Sequence, residues 1–250
     1  MIRALLLIAA TVLAAPAAAR VPEVRAELLP GWRMADGRHM AAIRLTLPPG
    51  WKTYWRSPGG AGIPPMADWS GSRGIAGAQI LWPAPDVFRS FGMHSLGYEG
   101  TVVLPVAVRP SGARPALELG FAFGICEEIC VPMSVRLTAE LPRGGAADPA
   151  ILIALARVPR PASGVATCHM GESRGRTALV ATLSVPSLGP GESVALEAPG
   201  AHLGEPSIRR EGGRLTASFP VDGGAVSRQG LRVTAFGPAG ALEQVGCPSP

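Results

Sequence analysis

The sequence is poor in charged residues, in aromatic residues and above all in lysine. Of the 250 residues, 16% are charged and 5% are aromatic, and Lys52 is the only lysine in a chain of formal net charge +5. The other cations are arginines that occur singly, apart from the adjacent Arg209 and Arg210. Binding of nucleic acid requires cations clustered on one surface. The scattered arginines therefore argue against a nucleic-acid partner.

Long apolar runs are also scarce, and the one exception lies at the N-terminus. Arg3 precedes an apolar run over residues 4–15, and Ala17 and Ala19 follow at the positions of an A-x-A cleavage site. The run has about 12 residues, fewer than the roughly 20 that a membrane-spanning helix needs. We therefore predict a secretory signal peptide over residues 1–19, cleaved after Ala19, and a periplasmic location for the remainder.

Glycine and proline, by contrast, are abundant and divide the chain into short segments. There are 32 glycines and 26 prolines, which excludes a long helical bundle. Between residues 20 and 145, apolar or alternating segments separated by these residues predict a β-sandwich. The candidate strands are Ala41–Leu47, Gln79–Trp82, Thr101–Val108, Leu117–Ile125 and Ser134–Leu141. The predicted fold class is therefore all-β.

A helix signal follows this first group of strands. Asp148 stands where an N-cap is expected and Pro149 at the first helical position, while Pro159 and Pro161 lie beyond the apolar turns. We interpret residues 146–162 as a short helical and proline-rich linker. Residues 163–250 again alternate short β-rich segments with turns, so we expect a second, smaller β-sandwich. Its candidate strands are Val165–His169, Ala178–Leu183, Ser193–Glu197, Leu215–Phe219, Leu231–Phe236 and Leu242–Val245.

Cysteine is the next scarce residue. The chain contains Cys126, Cys130, Cys168 and Cys247. In an exported protein an even number of cysteines predicts disulfides. A bond between Cys168 and Cys247 would close almost the whole second sandwich and stabilise it by about 4 to 5 kcal/mol at most. The alternative is that Cys168, His169 and Met170 supply soft ligands for copper.

The other two cysteines, Cys126 and Cys130, are separated by only three residues and follow an apolar segment. If those three residues form a tight turn, the cysteines lie opposite each other on paired strands, about 4.5 to 5.5 Å apart at Cα. So small a loop yields little entropic stabilisation, which leaves a redox-active pair and a second structural disulfide both open. A zinc site is less consistent with the spacing, because no second ligand pair follows.

Several motifs occur in the order found in one known family. They are GWKTYWRSPG at residues 50–59, ILWP at 80–83, LGYEG at 96–100 followed by VLP at 103–105, and CEEICVP at 126–132. With these motifs the chain resembles, over about residues 21–142, the N-terminal periplasmic domain of the thiol:disulfide interchange protein DsbD and its ScsB-like relatives. The resemblance implies an immunoglobulin-like fold for the first sandwich.

The resemblance also implies a function for the cysteine pair. In this family the pair receives electrons from a membrane-embedded partner and passes them to exported thioredoxin-like proteins, which include disulfide isomerases and proteins of cytochrome c maturation. Cys126 and Cys130 would be the catalytic residues, exchanging disulfides without a cofactor. Phe88 or Phe91 would belong to an aromatic cap loop that shields them. The family's membrane and thioredoxin-like domains do not occur in these 250 residues, so a separate polypeptide is expected to donate the electrons.

Two other functions are compatible with the same residues. One is a binding or chaperone module in which both disulfides are permanent. The other is a copper-handling protein of the kind found in copper tolerance, which would use Cys126 and Cys130 together with Met133 and His94.

The surroundings of the pair carry the remaining expectations. We expect Cys130 to face a partner, because Cys126 ends an apolar strand and Cys130 enters the following Val-Pro segment. The flanking carboxylates of Glu127 and Glu128 are expected at a solvated loop tip, where they disfavour a thiolate. Residues 86–98 are interpreted as a long connection between strands, with Gly97 in a turn. The large aromatic residues Trp51, Tyr54, Trp55 and Trp82 are assigned to the core.

Overall fold

The computed structural model of the chain describes residues 22–60, 62–90 and 93–250. The predicted signal peptide over residues 1–19 lies outside this range. The described residues form two β-sandwiches with one short α-helix between them, which confirms the all-β fold class. None of the helices in the described part of the chain is long and apolar enough to cross a membrane.

The first sandwich consists of two antiparallel sheets packed face to face. Its strands are β1 (Arg25–Arg33), β2 (His39–Thr46), β3 (Lys52–Tyr54), β4 (Met66–Asp68), β5 (Ile75–Ile80), β6 (Asp86–Ser90), β7 (Met93–Glu99), β8 (Thr101–Pro110), β9 (Ala116–Cys126) and β10 (Cys130–Glu140). One sheet has the order β1-β2-β8-β5, and the other has the order β10-β9-β3-β7-β6, with β4 also pairing with β9. Every second residue of β9 from Leu117 to Ile125 is buried, because a strand presents alternate side chains to the core.

The second sandwich follows the same two-sheet plan. Its strands are β11 (Arg160–Pro161), β12 (Ala166–Ser173), β13 (Arg176–Ser184), β14 (Ser193–Glu197), β15 (Ala201–Leu203), β16 (Ser207–Glu211), β17 (Arg214–Gly224), β18 (Arg232–Gly237) and β19 (Gly240–Val245), with a 3-10 turn at Arg228–Gly230. One sheet has the order β11-β19-β18-β14, and the other has the order β12-β13-β17-β15, with β16 also pairing with β17.

The two sandwiches are in direct contact. Ala195, Phe236 and Ala241 of the second sandwich are buried in the hydrophobic cluster that fills the first. Beside this apolar contact, Arg56 of the first sandwich forms ion pairs with Glu197 and Glu243 of the second. Both kinds of interaction therefore hold the two units together.

The predicted helix is present as α1 (Pro149–Ala156), and the Asp148 side chain caps it by accepting hydrogen bonds from the backbone N–H groups of Ala150 and Ile151. The helix is not a bare linker, however. Ile151 is fully buried in a small cluster with Leu29, Met40 and Ala42, which lie on β1 and β2. The segment is thus packed onto the outer face of the first sandwich.

The interpretation of residues 86–98 as a long connection was wrong. The segment is a β-hairpin, β6 paired with β7, and Gly97 lies within β7 rather than in a turn. A Cβ at position 97 would collide with the carbonyl oxygen of Thr53 on the neighbouring β3. Glycine at this position therefore permits close approach of two strands, a role that sequence reasoning does not distinguish from a turn.

Candidate functional site

The cysteine pair lies at the tip of the hairpin formed by β9 and β10. Cys126 is the last residue of β9 and Cys130 the first of β10, and they are directly opposite each other in the antiparallel register. They are joined by a disulfide with a Cα to Cα distance of 4.2 Å. The three residues between them form a tight turn in which the Glu127 N–H donates to the Ile129 carbonyl.

The two cysteines differ in exposure. Ile125 points into the core, so the next side chain along β9, that of Cys126, points away from it and is half-buried, whereas Cys130 is exposed. The turn residues Glu127, Glu128 and Ile129 are exposed as well, and Ile129 is 65% exposed. Of the two cysteines, Cys130 is therefore the more accessible residue to a reagent or protein that approaches the tip.

A tyrosine hydroxyl contacts both sulfurs. The Oη of Tyr54 lies 2.7 Å from Sγ of Cys126, to which it donates, and 3.4 Å from Sγ of Cys130. Burial raises the pKa of the Tyr54 phenol above its ordinary value, so the hydroxyl stays protonated and able to donate at neutral pH. Tyr54 is buried at 7% exposure, as expected of a core aromatic, but its hydroxyl contacts the disulfide.

Strand β3 places this tyrosine. Lys52 and Thr53 pair with Cys126 and Ile125 of β9, and the Thr53 hydroxyl donates to the carbonyl of Gly124 over 2.9 Å. These contacts fix β3 beside the end of β9, so the next residue, Tyr54, reaches the disulfide. Sequence reasoning missed this role because a tyrosine in a WxxYW pattern is equally typical of a core.

Phe88 lies on β6 and is half-buried. Its ring centroid is 5.1 Å from Nζ of Lys52, a cation–π distance, and the backbone of Lys52 pairs with that of Cys126. Phe88 is therefore linked to the strand beside the disulfide, but it projects from a β-hairpin rather than from an irregular loop. Phe91, the other predicted cap residue, lies outside the described residues.

The second disulfide has the opposite character. Cys168 on β12 is bonded to Cys247, which follows β19, with a Cα to Cα distance of 5.4 Å and a sequence separation of 79. Both residues are buried, at 0% and 1% exposure, and the Cys168 N–H donates to the carbonyl of Pro248. The bond joins the two ends of the second sandwich inside its core.

The residues suggested for copper are not favourably arranged to bind one metal ion together. Met133 is three residues from Cys130 on β10, and alternate side chains of a strand point to opposite faces, so the two project to different sides. His94 lines a cleft against Glu205 and Pro206 of the second sandwich. Within residues 22–60, 62–90 and 93–250, no group of three or more His, Cys, Asp or Glu side chains is placed to hold a metal ion.

Fold and site together define a two-sandwich protein that carries a solvent-accessible disulfide at a hairpin tip. Residues 25–142 match the model of the family described as thiol:disulfide interchange protein DsbD, N-terminal. This part of the chain contains every strand of the first sandwich, β1 to β10, so the first sandwich is a DsbD-like N-terminal domain. The expected resemblance is thereby confirmed.

One solved structure extends the comparison to both sandwiches. The chain is similar to the crystal structure of the N-terminal periplasmic domain of ScsB from Proteus mirabilis, with a TM-score of 0.67 and 23% sequence identity. The match covers 91% of this chain and 92% of that chain, so the fold of the second sandwich is shared along with that of the first. No curated protein matches the chain.

Proposed function

We propose that the protein is a periplasmic thiol-disulfide exchange protein in which Cys126 and Cys130 are the catalytic residues. The observation that carries the proposal is the tip disulfide, exposed at Cys130 and hydrogen-bonded to Tyr54 at Cys126. A bond that encloses only three residues contributes about half as much to stability as one that closes a loop of some 80 residues. The match of residues 25–142 to the DsbD N-terminal family supports a redox role for it.

The exchange follows from the unequal environments of the two sulfurs. A thiolate of a dithiol partner attacks Sγ of Cys130, a mixed disulfide forms, and the Cys126 thiolate leaves. The Tyr54 hydroxyl, 2.7 Å away, donates a hydrogen bond to the charge that develops on that leaving sulfur. The second partner thiol then attacks the partner's own sulfur in the mixed disulfide. The Cys130 thiolate is released, both cysteines take up protons, and two electrons have passed from partner to protein.

The same steps in reverse reduce the disulfide of an acceptor. We propose a membrane-embedded dithiol protein on a separate polypeptide as the electron donor, and exported thioredoxin-like proteins of the disulfide-isomerase or cytochrome c maturation type as acceptors. The family of residues 25–142 supports both assignments. In this scheme Phe88 or Phe91 shields the disulfide, and Cys168–Cys247 is a permanent structural bond.

The proposal is tested by measuring the reduction potential of each disulfide. The purified protein is equilibrated with dithiothreitol or glutathione buffers, the thiols are trapped, and each pair is resolved by mass spectrometry. We expect Cys126–Cys130 to have a potential in the range of catalytic dithiols, roughly −120 to −270 mV, while Cys168–Cys247 stays bonded. If both disulfides have reduction potentials below about −300 mV, they are permanent and the protein is a binding module.

A double variant separates the same two functions in another way. Cys126→Ala/Cys130→Ala should abolish the reduction of a thioredoxin-like acceptor and lower the free energy of unfolding by no more than about 2 kcal/mol. Unchanged acceptor reduction together with a large loss of stability would contradict the relay.

A further inference from the structure

The strand that carries Tyr54 pairs with the cysteine-bearing strand β9 only before that residue. The ladder between β3 and β9 includes Lys52 and Thr53 and ends before Tyr54. On its other side Tyr54 pairs with Gly97 of β7, and the following Trp55 N–H donates to the carbonyl of Leu96. Tyr54 is therefore the last residue of β3 and is paired on the β7 side only.

Two residues after Tyr54, the chain is anchored in the second sandwich. The guanidinium of Arg56 donates to the Glu197 carboxylate from Nε over 3.0 Å and from Nη2 over 2.7 Å, and it also forms an ion pair with Glu243. Glu197 ends β14 and Glu243 lies on β19. A forked, two-carboxylate contact of this kind fixes the orientation of the guanidinium as well as its position.

The anchor is substantially buried and reinforced. The Arg56 side chain is only 17% exposed, and its guanidinium carbon lies 4.2 Å from the ring centroid of the fully buried Trp55. Arg232 donates to Glu243 over 2.7 Å, so the two carboxylates face two cations. The two positive and two negative charges balance each other. Removal of Arg56 would therefore leave the two carboxylates with one cation in a partly desolvated place.

We infer that Arg56 is a positioning residue for the exchange site. By anchoring the chain directly after Tyr54 to Glu197 and Glu243, it keeps the Tyr54 hydroxyl on the sulfur of Cys126. The second sandwich, which contributes no cysteine to the exchange, thereby acts on the chemistry of the first. This inference rests on the proposed function of the Cys126/Cys130 pair.

The test compares the equilibrium between the protein disulfide and dithiothreitol in several variants at pH 8, where a thiolate of ordinary pKa is partly populated. Loss of the hydrogen bond to the Cys126 thiolate in Tyr54→Phe should shift the equilibrium toward the disulfide by about three- to tenfold, the latter corresponding to about 30 mV. Arg56→Gln should shift it in the same direction. In the double variant the shift should not exceed that of Tyr54→Phe alone, because both changes remove one interaction.

The second sandwich offers a matched control. Arg210 forms an equally forked, part-buried ion pair with Glu192, with distances of 2.7 and 2.6 Å, entirely within that sandwich. Arg210→Gln should lower the stability of the protein and leave the dithiothreitol equilibrium unchanged. Arg56→Lys keeps the charge but loses the forked contact, so it should shift the equilibrium less than Arg56→Gln does. If Arg56→Gln does not fold, Glu197→Gln is the milder variant and should shift the equilibrium in the same direction.

The outcomes distinguish the inference from the proposed function. If Cys126–Cys130 does not exchange in the unaltered protein, the proposed function fails and the inference fails with it. If the pair exchanges and Tyr54→Phe shifts its equilibrium, but Arg56→Gln only destabilises the protein or adds its effect to that of Tyr54→Phe, the inference alone is overturned. An unaltered equilibrium in Tyr54→Phe also overturns it, because there is then no hydroxyl effect for Arg56 to support.

Discussion

At the scale of single residues, the site depends on unequal surroundings of two chemically identical side chains. Cys130 is exposed, while Cys126 is half-buried and accepts the hydrogen bond of Tyr54. Exposure favours attack at Cys130, and the hydroxyl favours Cys126 as the leaving thiolate. In the proposed exchange these two effects act in the same direction, and together they give the order in which the bonds are made and broken.

This asymmetry predicts the behaviour of single-cysteine variants. In Cys126→Ala the remaining Cys130 thiol should react with a bulky maleimide several-fold faster than the remaining Cys126 thiol does in Cys130→Ala, because only Cys130 is exposed. The rates are measured by gel shift under conditions that keep Cys168–Cys247 bonded. Faster labelling of Cys126 would contradict the assignment of Cys130 as the residue that faces the partner.

At the scale of elements, short contacts between strands position the site. The hairpin of β6 and β7 carries Phe88 toward Lys52, and the close approach of β7 to β3 requires Gly97. The α1 helix lies farther away, on the outer face of the first sandwich, where Ile151 is fully buried and Ile153 is 69% exposed. The helix thus stabilises the scaffold without touching the disulfide.

Two substitutions of the same residue type test the packing of α1. Ile151→Ala should lower the free energy of unfolding by about 2 to 4 kcal/mol, because it opens a cavity against β1 and β2. Ile153→Ala should change it by less than about 0.5 kcal/mol, since that side chain is in solvent. Urea unfolding followed by circular dichroism measures both. Equal effects would show that α1 does not pack on the sheet as described.

At the scale of the whole molecule, the two disulfides divide stability and reactivity between them. The bonds span sequence separations of 4 and 79 residues. The longer closed loop restricts the unfolded chain about twice as much, in free energy, as the short one does. Under the proposed function the exposed bond opens during exchange, while the buried bond preserves the second sandwich.

This division predicts the effect of removing each bond. Cys168→Ala/Cys247→Ala should lower the free energy of unfolding by about 4 to 5 kcal/mol at most, and Cys126→Ala/Cys130→Ala by about 2 kcal/mol at most. Thermal unfolding midpoints of the two double variants and of the unaltered protein give the comparison. Similar losses in the two variants would indicate that both bonds are structural.

The charged contact between the sandwiches predicts a dependence on pH. Burial raises the pKa of Glu243, but the charges of Arg56 and Arg232 and their hydrogen bonds more than offset this effect, so the pKa lies below the ordinary value of 4.5. A carboxyl whose pKa is lowered by folding stabilises the folded state above its unfolded pKa, and this stabilisation is lost as the pH falls through the folded value.

The unaltered protein should therefore lose more stability than Glu243→Gln as the pH is lowered below about 4.5. Chemical unfolding midpoints between pH 6 and pH 3 measure the difference. His39 is fully buried, and burial lowers its pKa, so it adds a loss below about pH 6.5 that is common to both proteins. Parallel curves for the two proteins would show that the network does not stabilise the fold.

Much of the fold was predictable from local patterns in the sequence. The Asp148-Pro149 pair predicts α1 correctly because capping depends on neighbouring residues alone. The longer apolar segments correspond to β2, β8 and β9, because alternating or continuous apolar residues in these segments indicate strands directly. Strand β1 was missed because Pro30 and Gly31 interrupt it at a bulge, and β6 and β7 were missed because Gly97 is typical of a turn. The domain boundaries at residues 20–145, 146–162 and 163–250 stay predictions.

The sequence by itself determined the all-β class, the four cysteines and the three-residue spacing of Cys126 and Cys130, because composition and short spacing are local properties. Only the tertiary structure decided that Tyr54 donates to Cys126 and that Arg56 joins its strand to the second sandwich. These contacts link residues that are 72 and 141 or more positions apart in the chain. No local pattern in the sequence indicates such contacts, because they arise from how β3 packs against β9 and against the second sandwich.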